Sequence, residues 1–307
     1  MLERILQAAA SHGDRAVIVP VGRLADLRRD VEALRRNNVL NGLQQQIVDG
    51  TYHLEVPDLG FPVRSIVLVA TSSIAAMMTL TWRGRDIPVM IPPGYVGNVS
   101  APALIERYLN EALAPVGRRA RHALGIPKKL LAVRSGLGVY GRNNLCYVKG
   151  MGSLLNLVTL YTDVACPEGS WHEIRAMDAC RDCEACLNAC PTGAIMRDRF
   201  LIDNERCLTF YNEAEPEYAF PDWLSPSAHH TAYGCSRCMA ACPANGTLID
   251  RVGVEMTFTE HETGLLLRGP TPEDLPEGLR RKVDALDMAG YLGALPRNLR
   301  ALGVTAE

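Results

Sequence analysis

The sequence has almost no net charge, and its start lacks the features of an export signal. Its 32 Lys and Arg residues nearly balance its 34 Asp and Glu residues, which leaves a formal charge of −2. A chain without surplus charge has no overall attraction to nucleic acid or to an anionic membrane. Residues 1–4 lack a basic start, and no apolar core or small-residue cleavage site follows. We therefore expect a cytoplasmic protein.

A membrane-spanning run is also missing. Residues 65–82 carry no charge, but they include six Ser or Thr residues and only just reach the length that a membrane helix needs. A buried strand followed by an apolar connection fits this composition better. We expect no membrane contact.

Acidic residues are absent from one long stretch of the chain. Between Glu111 and Asp163 there is no Asp or Glu. Such a local surplus of positive charge suits a phosphate or a nucleic acid, but it equally suits a face that acids elsewhere in the fold neutralise. The sequence leaves both interpretations open. The basic residues of the stretch are Arg118, Arg119, Arg121, Lys128, Lys129, Arg134, Arg142 and Lys149.

Cysteine, in contrast, is abundant, and eight of the ten cysteines form a pattern. A 4Fe–4S cluster needs four thiolates, and a run of three cysteines two residues apart can wrap one cluster. In bacterial ferredoxins the fourth cysteine of such a run, followed by proline, ligates the other cluster. The pattern predicts cluster I on Cys180, Cys183, Cys186 and Cys242, and cluster II on Cys190, Cys207, Cys235 and Cys238.

Other uses of these cysteines fit less well. Zinc favours paired Cys-x2-Cys motifs with four ligands for each ion, and a disulfide framework suits short secreted chains. Cys146 and Cys166 lie outside the pattern. We interpret Cys146 as a small buried hydrophobe and Cys166 as a loop thiol, without a catalytic role.

The remaining periodicity indicates an α/β (α+β) N-terminal domain followed by the cluster domain and a short helical C-terminus. Residues 87–91 contain a proline, so we expect their strand to be short or at an edge. Two short helices are expected within 272–302. The predicted domains are 1–165, a bacterial ferredoxin-like double 4Fe–4S domain at 166–250, and a cap at 251–307. The other predicted helices are 1–12, 23–36 and 101–124, and the other predicted strands are 16–20, 65–70, 144–148 and 153–161.

A glycine-rich loop lies inside the basic stretch. Residues 135–144 read Ser-Gly-Leu-Gly-Val-Tyr-Gly-Arg-Asn-Asn. Three glycines in six residues let a backbone approach a ligand closely, and Arg142, Asn143 and Asn144 can donate hydrogen bonds. The glycine spacing is not that of a dinucleotide fingerprint. A ligand loop and a plain glycine turn both remain open.

The loop and the cysteine runs together resemble the epoxyqueuosine reductases, which are cobalamin-dependent two-cluster proteins related in architecture to reductive dehalogenases. The resemblance covers most of residues 60–245. It rests on residues 64–66, 135–138, 141–143, 152–153, the first cysteine run with 191–195, Arg206-Cys207, and Tyr233-Gly234-Cys235 with the cysteines that follow.

The resemblance implies a function and a set of site residues. Electrons from a low-potential donor of the ferredoxin or flavodoxin type would pass through two 4Fe–4S clusters to a corrinoid, which the resemblance favours over a flavin. The residues implied to contact the corrinoid are Ser135, Gly136, Gly138, Gly141, Arg142, Asn143, Gly152 and Ser153.

The chain departs from the family at the proton donor. The family has a catalytic Asp shortly before the Gly-Leu-Gly, where this chain offers His122 or Leu124 and no acidic residue. His122 could donate a proton near neutral pH, but it also reads as a surface histidine on a basic helix. Tyr140, where the family has Ile, could donate a proton or simply pack.

Three hypotheses follow. The first is an iron–sulfur oxidoreductase that uses cobalamin to reduce an unidentified substrate. The second is an electron-transfer or corrinoid-handling protein without substrate chemistry, which the missing acidic donor favours. The third is an epoxyqueuosine reductase that acts on tRNA, which the basic stretch favours.

Overall fold

The computed structural model describes residues 1–37 and 39–305. The chain divides into two compact units. Unit 1 comprises Met1–Ser72, Ser100–Cys183 and Asp198–Leu201, and unit 2 comprises Ser73–Val99, Glu184–Arg197 and Ile202–Glu307. The chain therefore passes between the units several times, a division that differs from the three consecutive segments expected from the sequence.

The helices and strands are short and alternate along the chain. The strands are β1 (Arg15–Pro20), β2 (Ser65–Ser72), β3 (Ala75–Trp82), β4 (Arg85–Ile91), β5 (Ala120–His122), β6 (Gly138–Tyr140), β7 (Cys146–Val148), β8 (Leu155–Thr162) and β9 (Val252–Phe258). The helices are α1 (Leu2–Ser11), α2 (Leu24–Arg36), α3 (Gly42–Thr51), α4 (Ala101–Leu113), α5 (Lys128–Arg134), α6 (Ala185–Ala189), α7 (Leu208–Glu213), α8 (Arg237–Ala240), α9 (Glu260–Leu266), α10 (Glu277–Ala285) and α11 (Leu295–Ala301).

Unit 1 is built on a four-stranded sheet in the order β1-β2-β8-β5, in which all neighbours are antiparallel. Successive side chains of strand β2 point to opposite faces of the sheet, and both faces are buried. Ile66 and Leu68 pack on one face with residues of α2 and α5. Val67 and Val69 pack on the other face with residues of α1 and α4. The uninterrupted apolar run of this strand thus reflects two cores, one on each side of the sheet.

The uncharged run at 65–82 forms strands β2 and β3, not a helix. Within residues 1–37 and 39–305, no helix is long and apolar enough to cross a membrane.

The helix expected over 101–124 ends early, and this prediction was wrong beyond Leu113. A 3-10 turn follows, and Gly117 then adopts a left-handed conformation with φ of 66°, a common way to terminate a helix. The chain continues into strand β5, which pairs with β8. His122 therefore lies in an edge strand and not on a basic helix.

Unit 2 contains a three-stranded sheet in the order β4-β3-β9. Pro88 lies in β4 at the edge of this sheet, as its missing N–H requires. Strand β9, which the sequence did not predict, pairs in parallel with β3. Met78 and Phe258 from the sheet pack with Leu279 and Leu299 of α10 and α11 in one core. The mixed α/β fold class and the helical C-terminus are confirmed, although the C-terminal segment also supplies a strand.

Candidate iron–sulfur centre

The four cysteines predicted to hold cluster II all lie in unit 2, near the ends of short helices. Cys190 follows the last residue of α6, and Cys207 immediately precedes α7. Cys235 lies two residues before α8, and Cys238 lies within α8. Helices α6 and α8 are in contact. Short helices that each carry or flank a cysteine bring four distant positions of the chain to one place.

Burial and neighbouring cysteines raise the pKa values of Cys235 and Cys238. Burial, with a smaller effect from Cys207 and Cys190, raises the pKa of Cys235 to about 12. Burial also raises the pKa of Cys238, and Cys235, Cys207, Cys190 and Cys186 add to that effect. Each negative sulfur would repel the others, so the protein groups alone do not stabilise four thiolates.

Iron would reverse this preference, because a metal ion deprotonates a coordinating thiol outright. The sulfur of Cys207 accepts hydrogen bonds from neighbouring groups, although its pKa is raised overall. Burial raises the pKa of its thiol, while hydrogen bonds from the backbone and hydroxyl of Thr209 and the backbone of Phe210 lower it. A group of closely placed sulfur donors therefore fits a 4Fe–4S cluster, whose irons would supply positive charge to the site.

The cysteines predicted for cluster I are divided between the units in the chain. Cys180 and Cys183 belong to unit 1, and Cys186 and Cys242 belong to unit 2. Cys180 is the last residue of a 3-10 turn that begins at Asp178. Within residues 1–37 and 39–305, no three His, Cys, Asp or Glu side chains are arranged to hold a single metal ion.

The glycine-rich loop is a β-hairpin formed by β6 and β7. Its glycines make room for the hairpin itself. A Cβ at Gly138 would lie 2.6 Å from the sulfur of Cys146, and a Cβ at Gly141 would lie 2.5 Å from the ring of Tyr147. At Gly136, with φ of 77°, a Cβ would lie 2.6 Å from Nε2 of His172. Close packing within the chain thus accounts for all three glycines.

The polar side chains of the loop also have partners within unit 1. The guanidinium of Arg142 donates hydrogen bonds to the carbonyl oxygens of Cys180, Arg181 and Cys183 at 2.6, 3.2 and 3.2 Å. The buried side chain of Asn143 donates to the hydroxyl of Tyr147 at 3.0 Å. The predicted contact of Arg142 and Asn143 with a corrinoid remains a prediction that these hydrogen bonds do not support.

The other residues predicted to contact a corrinoid lie on either side of this hairpin. The hydroxyl of Ser135 donates to the carbonyl of Ala132 at 3.3 Å, just after α5. Gly152, with φ of 60°, accepts a hydrogen bond from the N–H of Val148 at 2.9 Å. Ser153 is buried.

Tyr140 packs inside unit 1. Its ring meets the edge of Phe200 with the centroids 5.1 Å apart, and its carbonyl accepts a hydrogen bond from the N–H of Met177 at 2.8 Å. Burial raises the pKa of its hydroxyl, with a smaller contribution from Cys146. A phenol that holds its proton this firmly is a weak acid, so the geometry favours the packing interpretation over proton donation.

His122 is half-buried in β5. Its Nε2 atom is buried and has no hydrogen-bond partner among the described residues. Burial lowers the pKa of the imidazole, the positive charge of Lys128 lowers it further, and Glu106 acts in the opposite direction. At pH 7 a smaller fraction of this ring is protonated than of an ordinary histidine, so less of the protein holds a proton there to donate.

Acids outside the basic stretch pair with three of its eight basic residues, Arg118, Arg121 and Arg134. Arg118 pairs with Asp163 at 3.7 Å, and Arg121 pairs with Glu106 at 3.2 Å. Lys129 donates to the carbonyl of Asn144 at 2.9 Å. In addition, Arg134 forms two hydrogen bonds with Asp30. These ion pairs favour the interpretation that acidic residues from other parts of the fold neutralise the positive charge of the stretch.

The sequence analysis missed the polar residues that support the cysteine loops. In unit 2, the side-chain amide of Asn212 donates to the carbonyl of Gly234 at 2.8 Å. Asn298 of α11 donates to the carbonyls of Asn212 and Ala232 at 2.7 and 2.9 Å. Nε2 of His230 accepts the N–H of Ser236 at 3.1 Å. His230 and Asn212 lie close to cysteines in the sequence, and this is the only signal that could have indicated their supporting role. The sequence contains no such signal for Asn298.

Residues 179–245 match the family model described as 4Fe-4S double cluster binding domain. This match contains all eight cysteines of the predicted pattern. It confirms the prediction of 4Fe–4S clusters and favours them over zinc at these residues.

Curated relatives of this chain include several epoxyqueuosine reductases. The chain is 27% identical over 206 residues to the epoxyqueuosine reductase of Cellulophaga algicola, covering 64% of this chain and 62% of that protein. It is 35% identical over 120 residues to that of Escherichia coli, covering 39% of this chain and 30% of that protein. The predicted resemblance to epoxyqueuosine reductases is confirmed, although the chain spans less than two thirds of the length of these relatives.

Solved structures with the same name share the fold. The epoxyqueuosine reductase of Bacillus subtilis, with its catalytic Asp loop swung out of the active site, superposes with a TM-score of 0.66 at 18% identity, covering 98% of this chain and 79% of that one. That of Streptococcus thermophilus gives 0.65 at 14% identity, covering 98% and 80%. A complex with an epoxyqueuosine-modified tRNA stem loop gives 0.66 at 17% identity, covering 98% and 80%.

Proposed function

We propose that this chain is an iron–sulfur oxidoreductase that reduces epoxyqueuosine in tRNA. The observation that carries the proposal is the double-cluster match at 179–245 in a chain whose curated relatives are named epoxyqueuosine reductase. The epoxyqueuosine-modified tRNA stem loop bound to a protein of the same fold supports the choice of substrate. Of the three hypotheses from the sequence, this support favours the third over the first.

The chemistry requires an electron relay. Loss of an epoxide oxygen as water takes two electrons and two protons, and a 4Fe–4S cluster passes one electron at a time. Cys190, Cys207, Cys235 and Cys238 would hold the relay in unit 2, where all four are half-buried. A low-potential donor of the ferredoxin or flavodoxin type, in the cytoplasm, belongs to the proposal.

A corrinoid also belongs to the proposal through the family resemblance. Its fit to this chain is weaker than that of the clusters, because the side chains of Arg142 and Asn143 are engaged within unit 1. No residue of this chain is therefore assigned to the corrinoid. Titration of the reconstituted protein with cobalamin and with a flavin, followed by absorbance, tests this part of the proposal.

A second candidate function is electron transfer to a corrinoid or a protein partner without substrate chemistry. One observation favours it: the chain has no Asp or Glu from residue 112 to residue 162, where the resemblance places the proton donor. His122, the titratable residue nearest that position, has a lowered pKa. An enzyme that must deliver protons at neutral pH would use a group with a pKa near 7.

The two functions are separated by one assay. The clusters are reconstituted without oxygen, and the protein is incubated with cobalamin, a chemical reductant and tRNA that carries epoxyqueuosine. The nucleosides are then analysed by mass spectrometry. The first function predicts a product that has lost one oxygen atom, and it predicts no product from the Cys207→Ala variant. Reduction of cobalamin without any change in the nucleoside would contradict the first function and support the second.

A further inference from the structure

Arg142 fastens the part of the chain that carries two of the predicted cluster I ligands. Its guanidinium donates hydrogen bonds to three carbonyl groups of one four-residue segment of unit 1, those of Cys180, Arg181 and Cys183. Three carbonyl oxygens converge on this one planar cation. The guanidinium of arginine presents several N–H donors in one plane and can bond all three, which the ammonium group of a lysine would do less well. The side chain of Arg142 therefore stabilises the backbone conformation of the segment that contains Cys180 and Cys183.

The backbone of the same residue contacts a ligand atom directly. The N–H of Arg142 donates a hydrogen bond to the sulfur of Cys180 over 3.4 Å. The hairpin fixes the position of this donor, because the N–H of Gly141 donates to the carbonyl of Leu145 at 2.9 Å and the N–H of Asn144 donates to that of Gly141 at 2.9 Å. One residue thus supplies a fixed N–H to the sulfur and a positive charge close to it.

We propose that Arg142 is a positioning residue for the cluster that Cys180 and Cys183 bind, and that it raises the reduction potential of that cluster and slows its loss of iron. Reduction adds a negative charge, which a nearby cation and hydrogen bonds to the sulfurs stabilise. The proposal rests on the predicted ligand role of the two cysteines. It does not depend on the substrate.

Unit 2 contains a comparable arginine at the other set of ligands. Arg206 immediately precedes Cys207, and its Nε donates to the carbonyl of Thr192 at 2.9 Å. The hydroxyl of Thr192 lies 3.6 Å from the sulfur of Cys190. Because Arg206 adjoins one cluster II ligand in the chain and bonds a residue that contacts another, it provides an independent reference against which an effect of Arg142 can be assigned.

The test uses the full-length protein with reconstituted clusters and no tRNA or cobalamin. The two reduction potentials are measured by a redox titration followed by EPR, and iron release to a chelator is followed by absorbance. We expect Arg142→Gln to lower one of the two potentials and to accelerate iron release roughly tenfold. Arg142→Lys keeps the charge without the planar fork, so it should keep the potential closer to that of the wild type while iron release is still faster.

Two variants make the result specific. Arg181→Gln removes a charge from the same loop, but its side chain is 76% exposed, so both potentials should stay unchanged. Arg206→Gln should shift the other potential. The proposal is overturned if Arg142→Gln leaves both potentials and iron release unchanged, or if Arg181→Gln shifts the same potential equally. Should Arg142→Gln not fold, unchanged iron release in Arg142→Lys overturns it as well. These readouts require no turnover, so they remain informative if tRNA is not the substrate.

Discussion

The hydroxyl of Tyr95 donates a hydrogen bond to the carboxylate of Glu213, although 118 residues separate the two in the chain. Both belong to unit 2. The ring of Tyr95 also meets the edges of Tyr233 and Tyr291, with centroids 5.2 and 5.7 Å away. Burial raises the pKa of the Glu213 carboxyl, while the hydrogen bond from Tyr95 lowers it. This contact joins the loop after β4 to α7, whose first residue follows Cys207.

Gly234, immediately before Cys235, leaves space for the hydroxyl of Tyr95. A Cβ at this position would overlap that hydroxyl, and the φ of 64° is unfavourable for other residues. We expect Gly234→Ala to destabilise the protein by about 1–3 kcal/mol from backbone strain alone, with a further cost from displaced Tyr95. Chemical unfolding and iron content would both report the change.

The matched control is Gly246→Ala. Gly246 also has a positive φ, of 48°, but nothing lies within 4 Å of a Cβ built there. Gly246→Ala should therefore lower the free energy of unfolding through backbone strain, but it should not reduce the iron content. Equal iron content in both variants would contradict the supporting role of Tyr95 at this loop.

The division of the cysteines between two clusters can be tested by removing one ligand from each set. Cys180→Ala should remove one cluster and lower the bound iron from about eight to about four atoms for each chain. Cys207→Ala should remove the other. Iron analysis and EPR spectroscopy would measure both losses.

Cys166 offers a control for these variants. Its sulfur accepts a hydrogen bond from the hydroxyl of Ser65 at 3.2 Å and lies outside the cysteine pattern. Cys166→Ser should therefore retain all the iron. If Cys180→Ala and Cys207→Ala each abolished the same EPR signal, the predicted division of ligands would be incorrect.

His122 should make stability depend on pH. The pKa of its imidazole is lowered from 6.5 in the folded protein, chiefly by burial. Above pH 6.5 the ring is neutral in both states, so it has no effect there. As the pH falls below 6.5 the unfolded chain takes up a proton first, and stability is lost. His122→Gln should remove this component.

The measurement is urea unfolding from about pH 8 to about pH 5.5, a range that spans the unfolded pKa of histidine. His229 and His230 also have pKa values lowered by burial and contribute in the same direction. The informative quantity is therefore the difference between the wild-type and His122→Gln curves. A difference that does not change with pH would mean that His122 has an ordinary pKa.

The ion pair of Arg134 and Asp30 should matter more for stability than the other pairs of the basic stretch. Their side chains are only 19% and 15% exposed, and Arg134 also donates to the carbonyl of His172 at 2.9 Å. Arg134→Ala leaves a shielded carboxylate without its partner, so we expect a loss of about 3 kcal/mol in the free energy of unfolding.

Two comparisons complete this experiment. Arg121 is paired with Glu106 but is 65% exposed, so Arg121→Ala should cost less than about 1 kcal/mol. The double variant Arg134→Met/Asp30→Leu replaces the pair with apolar side chains and should recover part of the loss. Equal costs for Arg134→Ala and Arg121→Ala would show that burial of the first pair is unimportant.

The sequence alone determined the cofactor class and the main strands. Cluster ligands follow one another at short fixed spacings, so the eight cysteines could be recognised locally, and the family match at 179–245 confirmed 4Fe–4S binding. Strand β2 was equally visible, because burial on both faces leaves an unbroken apolar run. Pro88 indicated an edge strand for a similarly local reason, the missing N–H.

Only the tertiary structure decided what the remaining polar residues do. The glycine-rich loop read as a ligand loop, but Arg142 binds carbonyls about 40 positions further along the chain, beyond the reach of any local pattern. The sequence pattern around His122 indicates a helix. The left-handed conformation of Gly117 ends that helix, and the chain then enters strand β5. Strand β9 pairs with β3 across more than 170 residues. Local spacing encodes the ligands of a cluster, whereas hydrogen bonds and strand pairing between distant residues depend on how the whole chain folds.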